Sequence, residues 1–450
     1  MPPSVRCQRD TDGVATVWFD VPGKSVNAVS SAVLDDLDAV LRDLEAHPPA
    51  GVIFASAKPG TFIVGGDLFE IRDAAEPALD AFLAHGQGLC DRIAALGVST
   101  VAALSGDTLG GGYELALACR HRVVADDPRI RIGLPETVIG IIPGWGGTLR
   151  LPRLVGIEAG LDLLVTGRTM GPREAHGIGM VDEVVAADGL LAAARRRAVD
   201  PAPARPRTDP TATDPRACVA ACDRSRAATR VRSGDHLPAA LRIVDVVEIS
   251  YRVGFAAGAA AERATLIDLR RGSAGRNLMR LFFLRSAAKK VASRLAGGTA
   301  RDVRRAVVVG GAPAAVIAAA LARAGVDVHV VAADGGSAPS TDWQSIATAD
   351  LVVAAVDESL AVGCDVFARL DDLARPDAVL AGATSSLAIG DLAAATRHPE
   401  RVIGLHVPAT GAGLPLVEVV RAGRSAADAV ATGVGIAARL GQTPIVVADA

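Results

Sequence analysis

The stretch DPAPARPRTDPTATDPRA, from Asp200 to Ala217, limits the folding of this chain more than any other. Proline fixes φ and lacks an N–H, so a segment with proline every few residues sustains neither helix nor sheet. It reads as a linker, and regular structure must be built separately on either side. With 450 residues there is room for two or three domains. Half of the residues are hydrophobic, enough to give each domain a core.

Before the linker, strands and helices alternate. GVATVWFDV reads as a strand, AVSSAVLDDLDAVLRDLEAH as an amphipathic helix, GVIFASA as a buried strand ending in the turn KPG, and TVAALSGD as a strand running into glycines. The pattern closes near GIGMVDEVV. Alternation of this kind predicts an α/β fold. Residues 217–298 read as helical throughout, with apolar positions three and four apart in AALRIVDVVEISYRVGFAAGAAAERATLIDL. From Arg304, RRAVVVGGAPAAVIAAALARAGVDVHVVAADG reads as strand, glycine turn, helix and strand, the outline of a nucleotide-binding βαβ unit. Further strands follow at DLVVAAV, AVLAGA, RVIGLHV and GQTPIVVADA. The expected division is 1–190 for an α/β domain, 191–300 for the linker and a helical connector, and 301–450 for a second α/β domain.

Several function classes are set aside by composition. A net charge of −3 gives no electrostatic footprint for nucleic acid. The basic residues around 270–305 read as a solvated helix face. Cys7, Cys90, Cys119, Cys218, Cys222 and Cys364 are scattered with no histidine at ligand spacing, so no metal site is expected and free thiols in a reducing compartment are. The N-terminus lacks the apolar core of a signal peptide, and no apolar run is long enough to span a membrane. The expected location is the cytoplasm.

Two glutamates stand out. Glu114 is the only charged residue between Asp107 and Arg120, and Glu136 is the only one between Arg131 and Arg150. Glu114 follows Gly110, Gly111 and Gly112, which let backbone N–H groups at a helix start approach a ligand oxygen. A first-turn glutamate favoured by the helix dipole is the plain alternative for Glu114. No charge near Glu136 in sequence pairs with it, and a buried carboxylate is costly unless it is paired or has a task. Two such acids facing each other across a substrate would raise one another's pKa, leaving one to deliver a proton and one to take one.

SAKPGTFIVGGDLFEI, GGGYELALAC and GLPETVIGIIPGWGGTLRLPRLVG together resemble the crotonase, or enoyl-CoA hydratase, family, over residues 5–190. DVPGKSVNAV, GFAAGAAAERATLIDL and RLFFLRSAAKK extend the resemblance to the multifunctional α-subunits of fatty-acid β-oxidation, in which a hydratase is joined by helices to a 3-hydroxyacyl-CoA dehydrogenase. The resemblance implies a crotonase domain (a ClpP-like ββα spiral), a helical linker and a Rossmann-like α/β domain. It implies that the N–H groups of Gly66 and Gly111 form an oxyanion hole, with Glu114 as base and Glu136 as acid on one water. Relatives that keep only the Glu136-like acid tend to be double-bond isomerases, so two acids favour hydratase, with isomerase as a side activity. Lys24 and Lys58 fall in loops the family places near the CoA nucleotide, and a solvated surface lysine is the alternative for each. Hydration of an acyl-CoA needs no cofactor. The other partners implied are a thiolase-like β-subunit or a second copy of the chain.

TSSLAIGDLAAATRHPERVIGLHVPATGAGLPLVEVV resembles the dehydrogenase NAD-binding domain, with His406 and Glu418 at its catalytic pair and Ser385 at its substrate-contacting serine. The cofactor loop departs from the pattern. Where that family has G-x-G-x-x-G, this chain reads Gly310, Gly311, Ala312, Pro313, Ala314, Ala315. The middle glycine admits the pyrophosphate close to the backbone, and a methyl there crowds it. Ala332 replaces the ribose-binding acid, with Asp334 two positions late, and Ala354, Ala383 and Ala409 replace three further polar residues of the family. The helical domain that follows in the family is also missing from this sequence. The implied reading is an active hydratase joined to a dehydrogenase-like lobe that no longer binds NAD. A bifunctional hydratase–dehydrogenase and a non-catalytic thiolase-docking scaffold are the alternatives.

Overall fold

In the computed structural model of the chain, residues 2–200, 215–332, 341–355, 358–406 and 416–449 are described. They form two compact units, Met1–Leu281 and Phe282–Ala450. Residues 201–214, which hold the prolines of the expected linker, lie outside the described residues.

The first unit opens with β1 (Val5–Arg9), β2 (Val14–Phe19) and α1 (Ser31–Ala46), which buries Val33, Leu34, Leu37, Leu41 and Leu44 on one face. Then β3 (Gly51–Ser56) and β4 (Gly60–Ile63) precede α2 (Leu68–Asp73) and α3 (Glu76–Ala95). β5 (Thr100–Leu104) and β6 (Gly106–Leu109) precede α4 (Gly111–Ala118), and β7 (His121–Ala125) and β8 (Ile132–Gly133) precede a 3-10 turn at Glu136–Ile139. α5 (Gly147–Val155), α6 (Ile157–Thr166), α7 (Pro172–Gly177), β9 (Glu183–Val185) and α8 (Leu190–Val199) complete the α/β part.

Each turn of the chain therefore gives one strand to each of two sheets. The larger has the order β1-β2-β3-β5-β7-β9, and the smaller is the parallel trio β4-β6-β8. This is a ββα spiral. Every residue of β3, β5 and β7 is buried; β3 and β5 accordingly read as near-continuous apolar runs in the sequence, whereas β7 opens on His121 and Arg122.

Four helices follow: α9 (Pro215–Ser233), α10 (Pro238–Arg252), α11 (Phe255–Arg271) and α12 (Ser273–Ala296). α10 packs on α5, α6, α9 and α11, while α11 also packs on α3 and α5. These contacts belong to the first unit, so the helices expected to connect domains cover helices of the spiral.

The second unit holds β10 (Arg305–Gly310), α13 (Ala312–Arg323), β11 (Asp327–Val331), β12 (Leu351–Ala355), α14 (Leu360–Leu373), β13 (Val379–Gly382), α15 (Ile389–Ala394), β14 (Val402–His406), β15 (Leu416–Arg421), α16 (Ala427–Arg439) and β16 (Thr443–Ala448). Its sheet has the order β11-β10-β12-β13-β14-β15-β16, parallel except where β14 meets β15. Alternate residues enter separate cores on the two faces. Val308 and Val353 lie in one, Val307 and Val352 in the other. The reversal of strand order between β10 and β12 makes this a Rossmann-type sheet with a crevice at its carboxyl edge.

A buried ion pair ties α14 to the entry of β14. Asp371 Oδ1 accepts from Arg401 Nη2 at 2.7 Å, with side chains 1 % and 3 % exposed. Burial pushes the Asp371 carboxyl up, but the Arg401 guanidinium and the Arg397 N–H outweigh it and hold it below the ordinary range. Asp371→Ala is expected to destabilise the second unit by about 3–5 kcal/mol, because Arg401 is left buried and uncompensated. With a lowered folded pKa, the stabilisation is present above the unfolded carboxylate pKa of about 3.9 and is lost as pH falls through the folded value. Urea unfolding of wild type and variant at pH 7 and pH 3 checks this. The gap between them should shrink at the lower pH.

Candidate active site

All three strands of the small parallel sheet deliver their C-terminal ends to one place. The end of β4 leads to Gly65 and Gly66, that of β6 to Gly110 and Gly111, and that of β8 to Glu136. Beyond β4, the Val29 N–H donates to Gly65 O at 2.9 Å and the Asp67 N–H to Val29 O at 2.8 Å. This leaves the intervening Gly66 N–H without an acceptor among the described residues. Gly110 has φ +52°, a left-handed turn that suits glycine, and α4 starts at the next residue. The N–H of Gly111, in the first turn of α4, likewise has no intrahelical acceptor. The two loops run side by side: a Cβ on Gly65 would lie 3.9 Å from Gly111 N.

Glu114 projects from the first turn of α4 and is buried. No partner for it is visible in the sequence, and here the structure differs. Its Oε1 accepts from the N–H groups of Trp145 and Gly147, each at 2.7 Å, and its Oε2 from Gly144 at 3.4 Å. Its partners are backbone donors, which no side-chain pattern records. Burial raises the Glu114 pKa, against the pull of those N–H groups and of Arg150. Glu136 is different. Its Oε2 is buried and has no hydrogen-bond partner among the described residues. Its Oε1 stands 2.8 Å from where a Cβ on Gly110 would be, so a side chain there would push the carboxylate aside. Burial, then the charge of Glu114, holds the Glu136 pKa well above the ordinary range, with Glu262 adding to it. The two acids thus share one low-dielectric space next to two unspent N–H donors.

Trp145 touches both halves of this arrangement. While its N–H serves Glu114, its ring covers Gly111, where a Cβ would come within 2.4 Å of Trp145 Cζ3. The ring also packs against Phe82, with centroids 5.5 Å apart.

A third acid was missed in the sequence. Glu262, on α11, is fully buried and accepts from Gly146 N at 2.6 Å, Thr148 N at 3.1 Å, Gln87 Nε2 at 3.4 Å and the Thr148 hydroxyl. Burial, then the Glu114 charge, pushes its pKa up to about 8. A signal was present. Gly258, Glu262, Thr265, Leu266 and Leu269 form the buried stripe of α11, and an acid on such a stripe is out of place.

The remaining candidates lie elsewhere. Lys24 is exposed, and Lys58 places its Nζ 3.0 Å from Asp20. In the second unit, His406 and Glu418 face each other across β14 and β15, with Nδ1 and Oε2 2.9 Å apart. Ser385 gives its N–H and its hydroxyl to Glu358, at 2.8 and 2.9 Å. Burial pushes the Glu358 pKa up, but those two groups with Thr384 and Ser386 outweigh it and bring it to about 2. At the crevice, Gly310 ends β10 and Gly311 caps α13. Pro313 contributes no N–H to the first turn, and the Ala314 N–H is spent on Gly311 O at 3.0 Å. Two of the N–H groups at the start of α13 are thus not on offer to a dinucleotide pyrophosphate. Ala332 is exposed and Ala354 buried, whereas Asp334, Ala409 and the side chain of Ala312 lie outside the described residues. Among the described residues, no helix is long and apolar enough to cross a membrane.

Residues 9–208 match the family model described as enoyl-CoA hydratase/isomerase. Residues 336–450 match that described as 3-hydroxyacyl-CoA dehydrogenase, NAD binding domain. Among solved structures, the chain is similar to an enoyl-CoA hydratase from Bacillus anthracis, with 26 % identity over 56 % of this chain and 91 % of that one, and a TM-score of 0.41. It is also similar to human mitochondrial delta3-delta2-enoyl-CoA isomerase, with 24 % identity over 64 % and 99 % and a TM-score of 0.48. An enoyl-CoA hydratase from Bacillus halodurans aligns at 19 % identity over 62 % and 99 %, with a TM-score of 0.45.

Proposed function

We propose, from the match of residues 9–208 to the enoyl-CoA hydratase/isomerase family and of residues 336–450 to the NAD-binding domains of 3-hydroxyacyl-CoA dehydrogenases, that this chain hydrates the trans-2 double bond of an acyl-CoA. The observation that carries the reading is the pairing of two unlike acids: Glu114, whose carboxylate takes three N–H groups, and Glu136, whose buried Oε2 has no partner among the described residues.

The residues divide the work as follows. The thioester oxygen lies between the N–H groups of Gly66 and Gly111. Glu114, whose carboxylate those three N–H groups stabilise, takes a proton from a water as the water oxygen bonds to the β-carbon. The double-bond electrons move toward the thioester, whose oxygen carries enolate charge. Each oriented N–H is worth about 3 kcal/mol to that charge. Glu136, kept protonated by burial and by the charge of Glu114, delivers its proton to the α-carbon. Return of the proton from Glu114 to Glu136 resets the pair, so the sum is addition of one water, and the product is the 3-hydroxyacyl-CoA. An isomerase needs only one acid to move a proton, so the second acid favours hydration.

For the second unit the reading is a Rossmann-like lobe that has lost NAD and serves structure or docking, with a thiolase-like subunit or a second copy as its partner. We assign residues 1–190 to the hydratase domain, 191–300 to linker and connector, and 301–450 to the lobe, in a cytoplasmic enzyme. The His406–Glu418 pair favours one other reading, a bifunctional hydratase–dehydrogenase. Crotonyl-CoA and the full chain test both. Loss of the conjugated-thioester absorbance is expected without NADH formation when NAD is added. NADH titration by fluorescence should show no saturation in the micromolar range. Micromolar binding would overturn the assignment of the second unit and leave that of the first intact.

A further inference from the structure

The reaction just described gives Glu262 no part, yet every polar group facing its carboxylate is a donor or a hydroxyl. The order of those donors is informative. Along residues 144–148, the N–H groups of Trp145 and Gly147 go to Glu114, and those of Gly146 and Thr148 go to Glu262. One short backbone stretch is thus pinned from two sides by alternate N–H groups, to an acid on α4 and to an acid on α11. The turn is also held through its carbonyls, Trp145 O accepting from Arg150 Nη1 at 2.8 Å and Gly146 O from the Arg150 N–H at 2.9 Å, but the N–H groups between those of Glu114 go to Glu262. The family model for the hydratase ends at residue 208, well before Glu262.

We propose that Glu262 is a positioning residue for hydration, holding the 144–148 turn so that its other N–H groups aim at Glu114. The inference rests on the hydratase reading of Glu114 and Glu136. It makes α11 part of the hydration machinery, although this helix touches neither the proposed water nor the thioester. Where it is ionised, Glu262 also raises the Glu136 pKa. The other ionisable groups around the pocket are Glu114 on α4, Cys90 on α3, and Arg150 on α5 with its partner Asp91. On α11 itself, Arg263 is held by Asp80 and Gln87.

The test compares Glu262→Gln and Glu262→Asp with Glu114→Gln in the full chain, using crotonyl-CoA. Glutamine keeps the shape but sets an NH2 against an N–H donor and removes the charge. Its kcat is expected to fall about 10²-fold with KM within about threefold. The alkaline limb of its pH profile should move down, since there Glu136 loses the neighbouring negative charge of the ionised Glu262. Aspartate keeps the charge but draws it back, so kcat falls and the limb stays. If kcat of both variants stays within about twofold of wild type, the proposal is overturned. A fall in kcat for Glu262→Gln with an unmoved limb also overturns it, as that is the mark of packing alone. If Glu262→Gln does not fold, Thr148→Val decides: it removes one donor and keeps the charge, and an unchanged kcat counts against the proposal, a lowered kcat at constant KM for it. Full activity in Glu114→Gln would sink the hydratase reading itself, a separate outcome from any of these.

Discussion

Replacing Glu114 with glutamine is expected to lower kcat for crotonyl-CoA hydration by about 10³-fold or more, while KM and thermal stability change little. The geometry separates the chemical loss from a structural one. Two N–H donors converge on Oε1 at 2.7 Å, so the amide oxygen of glutamine takes that place. The new NH2 then falls where Oε2 was, opposite only the long 3.4 Å contact from Gly144. The turn keeps its two short hydrogen bonds, and what disappears is the ability to accept a proton from water. General-base catalysis contributes typically 10²–10⁴-fold, about 3–5 kcal/mol of barrier. Stopped assays of crotonyl-CoA with a parallel CoA-ester binding measurement check the claim. A variant with wild-type kcat would remove Glu114 from the reaction.

Glu136→Gln should abolish hydration to the same degree and, unlike Glu114→Gln, make the first unit more stable at and above neutral pH. Its Oε2 is buried without a partner, and burial with the Glu114 charge raises its pKa. For an acid whose folded pKa lies above the unfolded value of about 4.3, the folded state holds more protons. Stability then falls as pH rises from the unfolded to the folded pKa, and the full cost is present above the latter. Glutamine carries no such charge, so the variant should show a higher Tm and a flatter dependence of stability on pH. Loss of activity together with a gain in Tm is the signature of an acid retained for chemistry at the expense of stability. A Glu136→Gln variant that hydrates crotonyl-CoA, or that is less stable at pH 8, would show the acid to be a structural group.

How much of this was legible in the sequence depends on what kind of atom does the work. The strands β3, β5, β10 and β12 were readable because both sheet faces are covered, and that leaves unbroken apolar runs. Glu114 and Glu136 were readable because a charge inside such a run demands a reason. The partners of Glu114 were not, since the N–H groups of Trp145 and Gly147 look like any others until the turn is folded. Glu262 escaped for a different reason: it lies 148 residues beyond Glu114, and nothing local says that α11 packs on α3 and α5. Its place on the buried stripe was visible, but its company was not. The pairing of Lys58 with Asp20 is a tertiary contact of the same kind.

The indole of Trp145 has a consequence for how such a protein can change. It presses on Gly111 with its ring and serves Glu114 with its own amide, so the group proposed to polarise the acyl carbonyl and the group proposed to prime the solvent molecule are mechanically yoked. Bulk added on one side is transmitted to the other. Lineages exploring new chemistry from this scaffold would therefore find it easier to exchange the lone acid at 136 than to retune either yoked member alone.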